Sequence, residues 1–418
     1  MIGRRAIVHI GTYKTGSTSI QAFLDANAGL LFAKGFYYPD SLGRPNHHGL
    51  AVFALSDRET TGLIRYLNLH DREKREAKRA EIAAALNAEL AGLPSEISAV
   101  VFSNEHLSGL NTEPEIESLR DLLAPHFDEI KIVVYLRRQD QRIVSDYTQK
   151  VRDGYTKPLD PLTYQPAESR DYRAFLEKWA KVFGEDAIAP RIFSRARFVD
   201  GDLIDDFLAA IGAPADPAYV RPEMENLGLS HEAIEFLRAF NEYVPHYRNG
   251  ERNPVRMRLL PFLVEGFPGE GIRLGRGESE ALLELVRESN EAVGARYFGG
   301  EFPFSNDLSR CGGERASPPS FEEAVKIAAF LWSRQAETIN ELKAENERRM
   351  QQLSALRLLV VAKSDIARSL AERLLAEDPQ ANDYYPTLLE TFMALHAELR
   401  DARERLTRNA PRANGEED

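Results

Sequence analysis

Only one cysteine, Cys311, occurs in the 418 residues. No intrachain disulfide can form, and a thiolate metal site, which needs several sulfurs, is disfavoured. The scarcity fits a reducing compartment, and a cytoplasmic location is the expectation. Also missing is any run of roughly 20 apolar residues, the length that spans a bilayer. The stretch after Arg4 and Arg5 is interrupted by His9 and Lys14, so it reads as a strand and not as a signal peptide. There is no basic surplus either: 53 Lys and Arg stand against 65 Asp and Glu, a net charge of −12. That balance argues against a nucleic-acid binder, while leaving room for a local basic pocket around one anionic ligand.

What is present is alternation. Apolar runs at 6–10, 99–102, 132–136 and 188–193 read as buried strands, the last one weakened by Pro190. Helical patterns lie between them: Ile20, Phe23 and Leu24 after the first run, a stretch over 72–93, and Phe175, Trp179 and Phe183. Strands alternating with helices predict an α/β fold, a doubly wound parallel sheet with helices on both faces. Ligands of such sheets sit at the carboxyl ends of the strands. The expected organisation is an α/β domain over 1–305, a Pro/Gly/Ser-rich linker over 306–320, a helical region over 321–410 and a disordered tail over 411–418. In the helical region Ile339, Leu342, Asn346, Leu353, Leu356, Val360, Ala367, Leu370 and Leu374 fall on a heptad frame interrupted by Arg349 and Lys363. This row suits either a coiled coil that joins copies of the chain or an amphipathic helix packed on its own domain. Asp378 and Pro379 should end it, and a further helix is expected over 386–406.

Two strand ends carry chemistry. After the first strand come Gly11, Thr12, Tyr13, Lys14, Thr15, Gly16, Ser17, Thr18 and Ser19. A Gly/Ser/Thr loop entering a helix offers backbone N–H groups, hydroxyls and a lysine to a phosphate. A Walker A loop places Lys directly after its last Gly. Here Ser17 takes that place and Lys14 lies earlier, inside the loop. The third strand ends at Arg137, and Ser145 follows two helical turns later. Either residue alone reads as ordinary surface; with the Lys14 loop they call for the same nucleotide.

Lys14, Thr15, Gly16, Ser17 and Thr18 resemble the 5′-phosphosulfate loop of sulfotransferases that use 3′-phosphoadenosine 5′-phosphosulfate (PAPS), with Ser17 replacing the usual Thr. Arg137 and Ser145 resemble the family's 3′-phosphate motif, an Arg followed eight residues later by a Ser. The run Ser145, Asp146, Tyr147, Thr148, Gln149 looks like the heparan sulfate sulfotransferases. Gln139 stands where that family has Pro, and Arg138 where it has Asp or Asn, which makes Arg138 the reserve candidate. The resemblance extends over about residues 5 to 300. It implies a P-loop-type fold and PAPS as co-substrate with no metal required, the fixed cations Lys14 and Arg137 taking the charge role. Lys14 would stabilise charge on the oxygen bridging phosphate and sulfate.

The acceptor side is less determined. Sulfuryl transfer needs a base for the acceptor's proton, and the second strand delivers Glu105 and His106 to the ligand-binding rim. His48, in a segment resembling bacterial sulfotransferase-like proteins, is a further candidate base or substrate contact, and Arg44 a contact for an anionic sugar. His47 and His48 are adjacent, a poor spacing for a metal. The expected reaction is transfer of a sulfuryl group to a hydroxyl or amine, with a glycan as the foremost acceptor. A P-loop kinase and a non-catalytic scaffold are the alternatives.

Overall fold

The computed structural model describes residues 4–56, 63–64, 67, 69, 71–222, 228–248, 251–309, 311–312 and 318–377, and single helical positions between 390 and 401. The chain divides into two compact units, Met1–Ile327 and Ala328–Asp418.

The first unit is an α/β fold on a five-stranded parallel sheet. Its strands are β1 (Arg5–His9), β2 (Phe36–Tyr37), β3 (Ala99–Ser103), β4 (Glu129–Leu136) and β5 (Ile188–Ile192), in the order β2-β3-β1-β4-β5. The interior strands contain apolar runs, Ala99–Phe102 in β3 and Ile132–Leu136 in β4, because helices bury both of their faces there. The helices are α1 (Ser17–Ala26), α2 (Ala28–Ala33), α3 (His48–Ala54), α4 (Arg72–Ala91), α5 (Glu113–Leu123), α6 (Gln139–Arg152), α7 (Tyr172–Phe183), α8 (Leu203–Ile211), α9 (His231–Tyr243), α10 (Pro254–Gly266), α11 (Arg276–Leu285) and α12 (Arg287–Tyr297). On one face Ile7, Val101 and Tyr135 belong to a core with Phe23 of α1 and Phe207 of α8. On the other, Val8, Phe102 and Val134 share a core with Leu86 of α4, Leu119 of α5 and Trp179 of α7.

All four expected strands are present, with ends moved by up to three residues. β2 escaped the sequence because two residues carry no periodicity. Pro190 sits inside β5, opposite Val134; β5 is an edge strand, where a missing N–H is tolerated. A short hairpin, β6 (Tyr247–Arg248) with β7 (Glu251–Arg252), was likewise not expected.

From β1 the chain first builds one side of the sheet, β2 and β3, and then crosses to β4 on the other side. The crevice of such a sheet opens at that reversal, above the carboxyl ends of β1 and β4. The loop at Lys14 and the turn at Arg137 both lie there.

In the segment expected as a linker, the Asp307 carbonyl accepts a hydrogen bond from Arg138 Nη1, as does that of Ser305 just before it, and Gly312 pairs with Leu274 and Arg276. Helix α13 (Phe321–Glu377) is 57 residues long, about 85 Å at 1.5 Å per residue. Its heptad residues Ile339, Leu342, Leu353, Leu356 and Leu370 are exposed. The side chains of Val360, Ala367 and Leu374, most of the helix expected over 386–406, and the expected tail over 411–418 lie outside the described residues. Among the described residues no helix is long and apolar enough to cross a membrane.

Candidate active site

The β1–α1 loop is shaped for close approach by an anion. Lys14 has φ 68° and Gly16 φ 77°, both left-handed. At Lys14 this conformation costs roughly 1–2 kcal/mol, strain that persists only where surrounding bonds hold it. Those bonds come from the threonines: Thr12 Oγ1 donates to the Tyr135 carbonyl (2.7 Å) and Thr15 Oγ1 to the Thr12 carbonyl (2.6 Å). Both hydroxyls, in residues counted from sequence among the nucleotide contacts, are therefore spent on carbonyls of β4 and of the loop itself. A Cβ at Gly16 would collide with the Leu203 side chain, and one at Gly11 with Ser17 Oγ. The N-terminus of α1 has no side-chain cap and no acidic residue in its first turn, so its free N–H groups and positive dipole end stay uncompensated. Ser17 Oγ is buried without a partner. Thr18 is exposed and Ser19 half-buried at the same helix start. An uncapped helix start with an orphaned buried hydroxyl fits a phosphate-type ligand.

Beside this loop lies a cavity of about 760 Å³. Lys14, Arg137 and Ser145, separate in the sequence, all line it. Arg137 Nη1 donates to the Lys14 carbonyl (3.1 Å), its own carbonyl accepts from Tyr172 Oη (2.5 Å), and its Nε is buried without a partner. Arg138, the reserve candidate, is committed elsewhere. Its Nε and Nη2 donate to the two Asp140 carboxylate oxygens at 2.8 and 2.9 Å, and Nη1 serves two carbonyls. Of the two guanidiniums Arg137 alone keeps donor capacity toward the cavity.

Lys14 Nζ donates to Gln149 Oε1 at 2.8 Å. Burial, then the Arg152 charge, pull its pKa below the ordinary value, with Asp153 opposing. Burial also lowers the pKa of Arg137. A lysine whose positive charge is poorly solvated is ready for an anionic partner.

On the other flank the loop meets the candidate bases. Tyr13 Oη lies 3.2 Å from His106 Nδ1, and the His106 and His48 rings are 5.3 Å apart. Glu105 begins a single 3-10 turn, Glu105–Gly109, and its Oε2 accepts from Gln21 Nε2 of α1 at 2.7 Å. Asn104 caps that turn, its Oδ1 accepting from the His106 N–H (2.9 Å). Asn104 Nδ2 must then be the group that donates to the Asn46 carbonyl and to His48 Nδ1, the latter at 3.3 Å. A Nδ1 that accepts leaves the proton of neutral His48 on Nε2. Burial, then the neighbouring His106, lower the His48 pKa; burial lowers that of His106, with Glu105 opposing. Burial and then Glu105 push Tyr13 up to about 12. Tyr13 and Lys14, consecutive residues, thus link the base cluster to the cavity.

His47 is a structural residue. Its Nε2 pairs with the Pro39 carbonyl (2.8 Å), its Nδ1 accepts from Ser103 N (3.3 Å), and burial depresses its pKa to about 3. Arg44 pairs with Asp40 (2.7 Å) and lies over Tyr38.

Sequence reasoning passed over Gln149, Arg152 and Arg273 in the cavity, and Tyr13, Gln21 and Asn104 in the base cluster. The spacing of α6 could have found two of them, since Gln149 and Arg152 follow Ser145 by four and seven residues, on one helix face. Cys311 also lines the cavity, with its Sγ 3.2 Å from Ser279 Oγ. Among the described residues no cluster of three His, Cys, Asp or Glu is placed to hold a metal.

No family model matches the chain. An uncharacterized protein of Archaeoglobus fulgidus is 32% identical over 205 residues, 48% of this chain and 54% of that protein. The chain thus spans about half the length of this curated relative. Among solved structures, a sulfotransferase from Alicyclobacillus acidocaldarius is similar with a TM-score of 0.32 and 19% identity, over 54% of this chain and 88% of that one.

Proposed function

We propose that the chain is a sulfotransferase that moves a sulfuryl group from PAPS to a hydroxyl or amine, with a saccharide as the acceptor class. The observation that carries this reading is the single cavity lined by Lys14, Arg137 and Ser145, beside an uncapped helix start with an unpartnered Ser17 hydroxyl. Arg137 and Ser145 hold the 3′-phosphate. The α1 N-terminus, Gly11, Gly16 and Ser17 hold the 5′-phosphosulfate. Lys14 supplies positive charge to the oxygen that takes up electrons as the bond to sulfur breaks. Glu105, oriented by Gln21, takes the acceptor's proton as the acceptor oxygen or nitrogen bonds to sulfur. His106 is the second candidate base. His48, protonated on Nε2, serves better as a donor to the acceptor than as a base. The single cysteine and the acidic charge fit a cytoplasmic enzyme.

The test is the nucleotide that raises the melting temperature. Adenosine 3′,5′-bisphosphate should stabilise the protein without metal, by about 2.7 kcal/mol at a hundredfold excess over its Kd. Stabilisation by ATP with magnesium alone would replace this reading with that of a kinase.

For the helical region we propose pairing with a second copy through the exposed heptad row of α13.

A further inference from the structure

The cavity holds more positive charge than its own carboxylates neutralise. Arg138 is tied to Asp140, and Arg273 is paired with Glu270. Lys14, Arg137 and Arg152 have no carboxylate within ion-pairing distance among the described residues. Arg137 and Ser145 account for one phosphate at the β4 end of α6. Arg152 is the last residue of α6, seven residues and about 10 Å along the helix from Ser145. Its Nε is buried with no partner, although the side chain lines the cavity. Asp153, the carboxylate nearest in sequence, accepts instead from Gln149 Nε2 at 3.2 and 3.3 Å. Arg256 Nη2 donates to the Arg152 carbonyl at 2.8 Å, which fixes the end of the helix. A cation at a helix C-terminus is favoured by the dipole, but Lys150, exposed on the same turn, meets that demand without entering a cavity. Arg152 is also the strongest charge acting on Lys14, and it depresses that lysine's pKa. Two cations so placed repel each other unless an anion lies between them.

We propose that Arg152 and Lys14 form a second oxyanion subsite, separate from the phosphate site at Arg137 and Ser145, which takes a tetrahedral sulfate-type group. This rests on the sulfotransferase reading of the cavity. Such a group has two sources: the sulfuryl group of the nucleotide, or a sulfate substituent on the acceptor. A guanidinium fork suits either, since it offers paired donors to two oxygens.

The experiment compares the full-length chain with its Arg152→Gln and Arg152→Lys variants by calorimetry, using adenosine 3′,5′-bisphosphate and PAPS, with melting temperatures as the check on folding. If the nucleotide is the source, Arg152→Gln weakens PAPS binding about tenfold to a hundredfold and leaves the bisphosphate, which lacks the sulfuryl group, unchanged. Arg152→Lys restores part of the loss. If the acceptor is the source, both nucleotide affinities hold, and KM rises for a sulfated chondroitin oligosaccharide but not for its desulfated form. A folded Arg152→Gln variant with unchanged PAPS affinity and unchanged KM overturns the proposal. Equal loss of PAPS and bisphosphate affinity also overturns it, because Arg152 would then serve a phosphate. A wild-type chain that binds neither nucleotide overturns the reading of the cavity itself, and the subsite with it.

Discussion

Lys14 Nζ and Gln149 Oε1 lie 2.8 Å apart, joining the strained β1–α1 loop to the third turn of α6. The bond holds the ammonium of the half-buried Lys14 at the cavity wall. Lys14→Ala should lower kcat by roughly a hundredfold to a thousandfold, the usual loss for one charge-stabilising donor, with the melting temperature little changed. Steady-state kinetics and a thermal melt check both halves. Because burial and Arg152 lower its pKa, Lys14 loses its proton as pH rises, at a pH below the free lysine's 10.5. The alkaline limb of kcat/KM, which reports the ligand-free enzyme, should fall there.

Arg137 and Arg138 should separate cleanly. Arg137→Ala removes a cavity donor and is expected to weaken adenosine 3′,5′-bisphosphate by about ten- to a hundredfold, with a modest effect on stability. Arg138→Ala strands the buried Asp140 and leaves two carbonyls unpaired, a change of about 3–5 kcal/mol in unfolding free energy. Calorimetry and urea denaturation distinguish the two.

Gly16→Ala puts a Cβ into the Leu203 side chain at a left-handed φ. The clash should cost about 1–3 kcal/mol. It also displaces the start of α1, so nucleotide affinity should fall along with stability in the same melt series.

Glu105→Gln keeps the size and the contact to Gln21 but removes the proposed base; kcat should drop by about a hundredfold or more. His48→Gln keeps a donor and should retain activity, whereas His48→Ala should not. The lowered His48 and His106 pKa values leave both rings neutral above their ordinary 6.5. No loss of activity from imidazole protonation is expected between that pH and the alkaline limb.

Leu353→Asp with Leu356→Asp in α13 should convert a dimer into a monomer, read by sedimentation, while nucleotide binding is unchanged. A wild-type chain that sediments as a monomer would remove the pairing proposal.

The fold was legible because buried parallel strands carry continuous apolar stretches; Ala6–Val8 in β1, Ala99–Phe102 in β3 and Ile132–Leu136 in β4 stand out for that reason. The three cavity residues were legible because each sits at a fixed offset from a strand end: Lys14 after β1, Arg137 after β4, Ser145 on the helix α6 that follows. Their environment was not. Whether Arg137 or Arg138 is free depends on Asp140 and on carbonyls 167 and 169 residues away. Gln21 reaches Glu105 across 84 residues of sequence, and Tyr13 reaches His106 across 93. Such pairings are set by packing of the whole sheet, and no local pattern encodes them. The spent hydroxyls of Thr12 and Thr15 show the converse. The motif names the residue, and only the hydrogen bonds say which atom is left to act.

Cys311 lines the same cavity as Lys14 and Arg137, and no other thiol exists in the chain. A thiol-reactive fluorophore added to the native sequence would therefore attach at one position, with no cysteine to remove or introduce. Its emission would follow the arrival of any ligand in the cavity, providing a binding assay before an acceptor is known.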